Sequence, residues 1–168
     1  GVGIYFGVLH HAPAAHKHVP DGTRIALRAD GARLLGFKPI RDHLLPLILE
    51  AKDTAKDTAK DTRDRRGKRI HEQTGVHIPY DLREFIVASV DGRSWVAIIG
   101  GKIESGRFVR GLQQVFKEEG IEGWTLDRGV LVHTLGPAIA QADDGTLIFG
   151  TTREIVRASL PASDKHAQ

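Results

Sequence analysis

Residues 80–119 read YDLREFIVASVDGRSWVAIIGGKIESGRFVRGLQQVFKEE, and this stretch contains the clearest secondary-structure signals of the chain. Two apolar runs, 82–90 and 94–99, flank the Asp91-Gly92 pair, which is typical of the type I′ turn in a β-hairpin. Further along, apolar residues recur with a helical period from Phe108 to Phe116. The stretch therefore predicts a strand, a tight turn, a second strand and an amphipathic helix.

The two predicted strands lack the alternation of apolar and polar residues that a sheet with one wet face requires. Residues 85–88 read FIVA, and residues 95–99 read WVAII. Continuous apolar runs of this kind indicate a sheet that is covered on both faces. We expect the second cover to be either the C-terminal helix or another subunit.

The remaining chain adds a first strand over 23–30, a helix that begins at Pro39, four short strands between 124 and 151, and a final helix over 153–160. This order predicts an α+β fold with a mainly antiparallel sheet. The first six elements match a ferredoxin-like βαββαβ core. A C-terminal β-meander and a short helix follow it.

Residues 51–62 are three copies of AKDT, a period close to the 3.6 residues of a helical turn. The repeat is short of apolar residues, so it predicts a solvated helical extension over about 50–69 or, alternatively, an interaction arm. A basic run follows, formed by Arg63, Arg65, Arg66, Lys68 and Arg69. This run is either the polar end of a long helix or a contact site for nucleic acid or anionic lipid. It contains no aromatic residue for base stacking.

The N-terminal residues 1–9 read GVGIYFGVL and carry no charge. They are too few to span a bilayer, which takes about 20 residues. They predict either the exit end of a membrane or signal segment, or a strand of the core. Because methionine is absent even at position 1, we expect the chain to continue upstream.

A histidine-rich run follows, with imidazoles at His10, His11, His16 and His18. Imidazole binds Zn, Cu and Ni, so the run is a candidate metal site. A flexible linker is the alternative. We accordingly divide the chain into a membrane-exit segment or linker (1–18), one α+β domain (19–161) and a tail (162–168).

Composition excludes some chemistry. The chain has no cysteine, so it has no disulfide and no thiolate metal site. Its formal net charge of +3 is too small by itself to indicate nucleic-acid binding. Neither Ser89 nor Ser94 lies in a GxSxG nucleophile motif. Asp143-Asp144-Gly145 lacks the spacing of a calcium loop and indicates a hairpin turn. We predict no catalytic residue and no cofactor.

Three segments carry a family resemblance: VPDGTRIALRADGARLLGF (19–37), GVHIPYDLREFIVASVDGRSWVAIIGG (75–101) and ADDGTLIFGT (142–151). Together they resemble bacterial envelope proteins of uncharacterised function, in which a signal or membrane segment precedes an α+β domain. The resemblance covers 19–37 and 75–160, and the AKDT repeat departs from it. It implies an extracytoplasmic location and a non-enzymatic role.

The first functional hypothesis is therefore a membrane-tethered, extracytoplasmic structural or accessory subunit of the cell envelope. It would act through contacts with other protein subunits or with copies of itself. A nucleic-acid-binding domain that uses the basic run 63–69 is one alternative. A metal- or small-ligand-binding domain is the other.

Overall fold

An antiparallel sheet organises the chain in a computed structural model that describes residues 15–29, 38, 56–77, 81–101 and 103–161. Its strands are β1 (Ile25–Ala29), β2 (Leu82–Ser89), β3 (Trp95–Gly101), β4 (Trp124–Asp127), β5 (Val130–His133), β6 (Ala138–Gln141) and β7 (Leu147–Gly150). The helices are α1 (Lys56–Thr74), α2 (Phe108–Glu118) and α3 (Arg153–Ser159), and a 3₁₀ turn spans Ala15–His18. The predicted α+β class is confirmed.

The strand order is β1-β2-β3-β7-β6-β5-β4, and each neighbouring pair is antiparallel. The predicted meander corresponds to β4 to β7. The predicted ferredoxin-like βαββαβ core is not confirmed, because β1 lies directly beside β2 and pairs antiparallel with it. A split βαβ unit would place another strand between them. The order of elements along the chain does not determine which strands pair.

The unbroken apolar runs in β2 and β3 supply two hydrophobic cores, one on each face of the sheet. Phe85 and Val87 belong to the first core, whereas Ile86 and Ala88 belong to the second. Successive side chains of a strand point to opposite faces, so each run serves both cores in alternation. The prediction that the sheet is covered on both faces is confirmed.

Helix α2 covers the first face, and α1 packs against α2 and adds Ile70 to the same core. Helix α2 buries Phe108, Leu112, Val115 and Phe116, the stripe that its sequence predicts. Gly111 explains how the two helices approach each other, because a Cβ at this position would lie 2.5 Å from the carbonyl oxygen of Gln73. Only glycine permits a backbone contact this close.

Helix α3 and the 3₁₀ turn cover the second face. Ile155 and Val156 of α3 and Ala15 of the turn are buried in the second core. Small residues on this face, such as Ala88 and Ala140, allow short elements to pack closely on the sheet. Of the two predicted covers, the C-terminal helix is confirmed, and the cover on this face comes from the chain itself.

The β2–β3 connection differs from the predicted type I′ turn. Ser89 pairs with Trp95, so the loop contains the five residues 90–94, and of these Gly92 has a positive φ of 75°. The Asp91 carboxylate accepts the N–H groups of Arg93 and Ser94. The observed connection is therefore a five-residue loop stabilised by the Asp91 carboxylate, and the predicted two-residue turn is wrong.

Helix α1 contains the last part of the AKDT repeat, residues 56–62, and ends before Gly75, whose φ is 74°. The first part of the repeat and residues 1–14, including His10 and His11, lie outside the described residues. The predicted helix after Pro39 and the tail 162–168 also lie outside them.

Candidate functional site

The predicted histidine site is described at two of its four residues. His16 is exposed, whereas His18 is buried. Nδ1 of His18 lies 3.1 Å from the carbonyl oxygen of Ser159, and Nε2 lies 2.9 Å from Oδ2 of Asp144. The structure therefore directs the His18 ring into the protein.

The partners of His18 determine what its ring can do. One nitrogen of the ring faces a carbonyl oxygen and the other faces a carboxylate, so both nitrogens have partners within the chain. Burial raises the pKa of the Asp144 carboxyl, but hydrogen bonds from His18 and Thr146 outweigh it, and the pKa lies below its ordinary value of 3.8. Metal binding through His18 would require these contacts to break. Among the residues that the structure describes, no group of three His, Asp or Glu side chains is placed to bind a metal ion.

The basic run lies on α1, next to the C-terminal end of α2. Nη2 of Arg65 lies 2.9 Å from Oε2 of Glu119, and Arg69 hydrogen-bonds Glu118. The Nε atom of Arg66 lies 3.9 Å from the same Glu119 oxygen. Three of the five predicted cations therefore face carboxylates of their own chain.

The other two cations of the run are Arg63 and Lys68. Lys68 is exposed, and the side chain of Arg63 lies outside the described residues. The ion pairs reduce the positive charge available to an anionic partner. Binding of nucleic acid or lipid at this run stays a prediction.

Strand β4 lies at one end of the strand order, and β1 lies at the other. Among the described strands β5 is the one neighbour of β4. The N–H of Thr134 donates to the carbonyl oxygen of Gly123 at 2.9 Å, which makes these residues a hydrogen-bonded pair. Such pairs alternate along an antiparallel ladder, so Thr125 bonds to β5 and Leu126 does not. The N–H and C=O of Leu126 therefore point toward the edge.

Leu126 also exposes apolar surface at this edge. The residue is 45% exposed, although its cross-strand neighbour Leu131 is fully buried. Among the described residues the other exposed large apolar residue is Leu135, which is 73% exposed and lies in the β5–β6 turn. An exposed apolar side chain beside outward-pointing backbone groups is typical of strands that pair with another chain.

A cluster of aromatic rings holds the first residue of β4 in place. The ring of Trp124 stacks on Phe116 at a centroid distance of 5.1 Å and contacts His133 edge-on at 5.0 Å. Nδ1 of His133 accepts the N–H of Leu135. Gly123 accommodates the His133 ring, because a Cβ there would lie 2.5 Å from its Nε2 atom. The edge strand is thus anchored to helix α2 through Trp124.

Asp127 anchors the other end of β4. Its Oδ2 atom lies 3.1 Å from Nη1 of Arg153 and 2.8 Å from Nη2 of Arg157, both on α3. The following turn has positive φ at Arg128 (49°) and Gly129 (73°), the conformation of a two-residue type I′ turn. The strand is therefore held at both ends by contacts with the helices.

Sequence reasoning predicts the strand at 124–126 and its turn but does not identify Leu126 as a candidate contact residue. Nothing in a four-residue strand shows whether it lies inside a sheet or at its edge. In the structure Thr125 and Leu126 are both exposed, but the sequence alone does not show the exposure of either residue.

No helix among the described residues combines the length and apolar character needed to cross a membrane. Comparison with protein-family models, with curated proteins and with solved structures finds no match for this chain. The resemblance to envelope proteins stays a prediction.

Proposed function

We propose that this chain is a non-enzymatic structural or accessory subunit that acts through protein–protein contacts. The observation that carries the proposal is the β4 edge, where Leu126 presents both its backbone groups and an exposed side chain. Backbone groups at a sheet edge bind an added strand through main-chain hydrogen bonds. The anchoring of Trp124 and Asp127 supports this role, because a preorganised strand loses little conformational entropy on binding.

The contacts of the other candidate residues support the same reading. His18 bonds to Ser159 and Asp144, and Arg65 and Arg69 pair with carboxylates of α2. These side chains already have partners within the chain, whereas Leu126 presents an exposed side chain at the β4 edge.

The proposal includes a location at the outer face of a cell-envelope membrane, tethered by a segment that ends near residue 9. The uncharged sequence of residues 1–9 supports this part. Fractionation of cells that produce the full-length protein tests it. We expect the protein in the membrane fraction and sensitive to protease added from outside. Recovery in the cytosol would contradict the location and leave the contact role untouched.

Site-specific photocrosslinking tests the contact role. A photoreactive residue replaces Leu126 in one variant and the exposed Glu154 of α3 in a matched control. We expect discrete protein adducts from position 126 and none from position 154. An absence of adducts at 126 would contradict the role. A third probe at Lys68 addresses the nucleic-acid alternative, which predicts nucleic-acid adducts from that position.

A further inference from the structure

The β4 edge carries a more specific inference, which rests on the proposed contact role. We propose that its partner is the β4 strand of a second copy of this chain, paired antiparallel about a two-fold axis at Thr125. The pairing would join the two sheets edge to edge. The choice of partner and register follows from the backbone orientation and the charges at the edge.

Backbone orientation determines the register. Leu126 directs its N–H and C=O toward the edge, and Trp124, two residues earlier, has the same orientation. Two copies of such a strand form hydrogen-bonded pairs when Leu126 of one faces Trp124 of the other. Thr125 then faces Thr125 of the second copy on the axis. Any shift along the strand places an outward-pointing residue opposite a turn residue and loses hydrogen bonds.

The same register aligns opposite charges just beyond the strand. Arg128 begins the turn that follows β4 and Glu122 precedes the strand, so antiparallel pairing brings Arg128 of one copy to the strand end that carries Glu122 of the second copy. The symmetry repeats this pair on the other side. Arg128 and Glu122 are both exposed. Asp127 causes no like-charge conflict, because Arg153 and Arg157 already face its carboxylate. The charges at this edge therefore complement a second copy of themselves.

The side chains fit the register as well. Trp124 and Leu126 lie on the sheet face that α2 covers, since Trp124 packs on Phe116 and Leu126 lies opposite Leu131 of the first core. Pairing would bring exposed Leu126 alongside the Trp124 ring of the second copy. The first core would then continue across the two-fold axis. A two-fold interface of this kind closes on itself and stops at a dimer.

Sedimentation velocity of the purified full chain tests the proposal over a wide concentration range. We expect the 18.4 kDa chain to reach twice that mass. Leu126→Pro removes an N–H that points to the edge and leaves the bonds to β5 intact. It should abolish the dimer, and circular dichroism should show that the variant is folded.

Charge reversal gives an independent test of the register. Glu122→Arg and Arg128→Glu should each weaken dimerisation at least tenfold, and the double variant should restore it. Lys117→Glu, an exposed reversal on α2, should change nothing. Leu135→Asp, at the other exposed apolar residue, should also leave the dimer intact.

Several outcomes would overturn the inference. A protein that is monomeric at all concentrations would overturn the dimer. If the photoreactive probe at position 126 still captured a different protein, the proposed contact role would survive. Assemblies that grow beyond two copies would indicate head-to-tail pairing of different edges. Loss of the dimer in Leu135→Asp but not in Leu126→Pro would place the interface at the β5–β6 turn.

Discussion

Nε2 of His18 lies 2.9 Å from Oδ2 of Asp144, although 126 positions separate the two residues in the chain. This contact ties the 3₁₀ turn to the β6–β7 turn, while Nδ1 of the same ring reaches the carbonyl oxygen of Ser159 at the end of α3. Among the described residues, the 3₁₀ turn and α3 cover the second face. One buried imidazole therefore connects both of them.

Replacement of His18 by alanine should loosen the 3₁₀ turn. The change leaves the Ser159 carbonyl oxygen without this donor, and loss of a partner for a buried polar group costs about 1–3 kcal/mol. We expect a lower free energy of unfolding and faster amide exchange near Ala15. Chemical denaturation and hydrogen exchange measure these effects. His16→Ala, which alters an exposed imidazole two positions earlier, is the matched control, and an equal loss in both variants would contradict the role of His18.

Asp144 should make the free energy of unfolding depend on pH in the acidic range. Because the pKa of its carboxyl is lower in the folded protein than the ordinary value of 3.8, ionisation favours folding. This contribution is complete above the pKa of the unfolded chain and is lost as the pH falls through the lower folded value. Chemical denaturation measured between about pH 6 and about pH 3 gives the free energy of unfolding. As the pH falls, this free energy should decrease less in Asp144→Asn than in the wild type. Parallel curves would exclude the effect.

Two helical glycines should respond in opposite directions to alanine. Gly67 in α1 has nothing within 4 Å of a built Cβ, so Gly67→Ala should stabilise the protein by about 0.5–1 kcal/mol through helix propensity. A Cβ at Gly111 would lie 2.5 Å from the Gln73 carbonyl oxygen and force α1 and α2 apart. Gly111→Ala should therefore destabilise by about 1–3 kcal/mol, as overpacking does. Thermal denaturation of both variants measures the difference, and stabilisation by Gly111→Ala would contradict the close helix contact.

The ion pair between Arg69 and Glu118 should contribute little to stability, because both side chains are partly exposed. Exposed pairs contribute about 0.2–1 kcal/mol. A double-mutant cycle with Arg69→Ala and Glu118→Ala measures the coupling energy, which we expect to shrink as salt is added. A coupling well above this range, or one insensitive to salt, would mean that the pair is more deeply desolvated than its exposure indicates.

Local patterns in the sequence predicted several elements correctly. The stripe from Phe108 to Phe116 predicted the buried face of α2, and Thr152 caps α3 by accepting the N–H of Ile155, as its position before the helix indicates. Helical period and capping depend on residues within a few positions of each other, so they can be read from the sequence alone.

Turn geometry was predicted less well. Asp91-Gly92 predicted a type I′ turn but lies in a five-residue loop, while the type I′ turn occurs at Arg128-Gly129. Which φ angles a turn adopts depends on the register of the strands it joins, and that register is set by packing across the sheet.

The sequence by itself determined that the strands around Asp91-Gly92 are apolar on both sides and must be covered, because alternating side chains of an unbroken apolar run reach both faces. The packing of distant segments determines what covers them and which of the described strands end the sheet. The contacts of His18 with Asp144 and Ser159, and the position of β4 beyond β5, join residues far apart in the chain. No local pattern encodes such pairings, since they follow from how the sheet and its two covering layers pack as a whole.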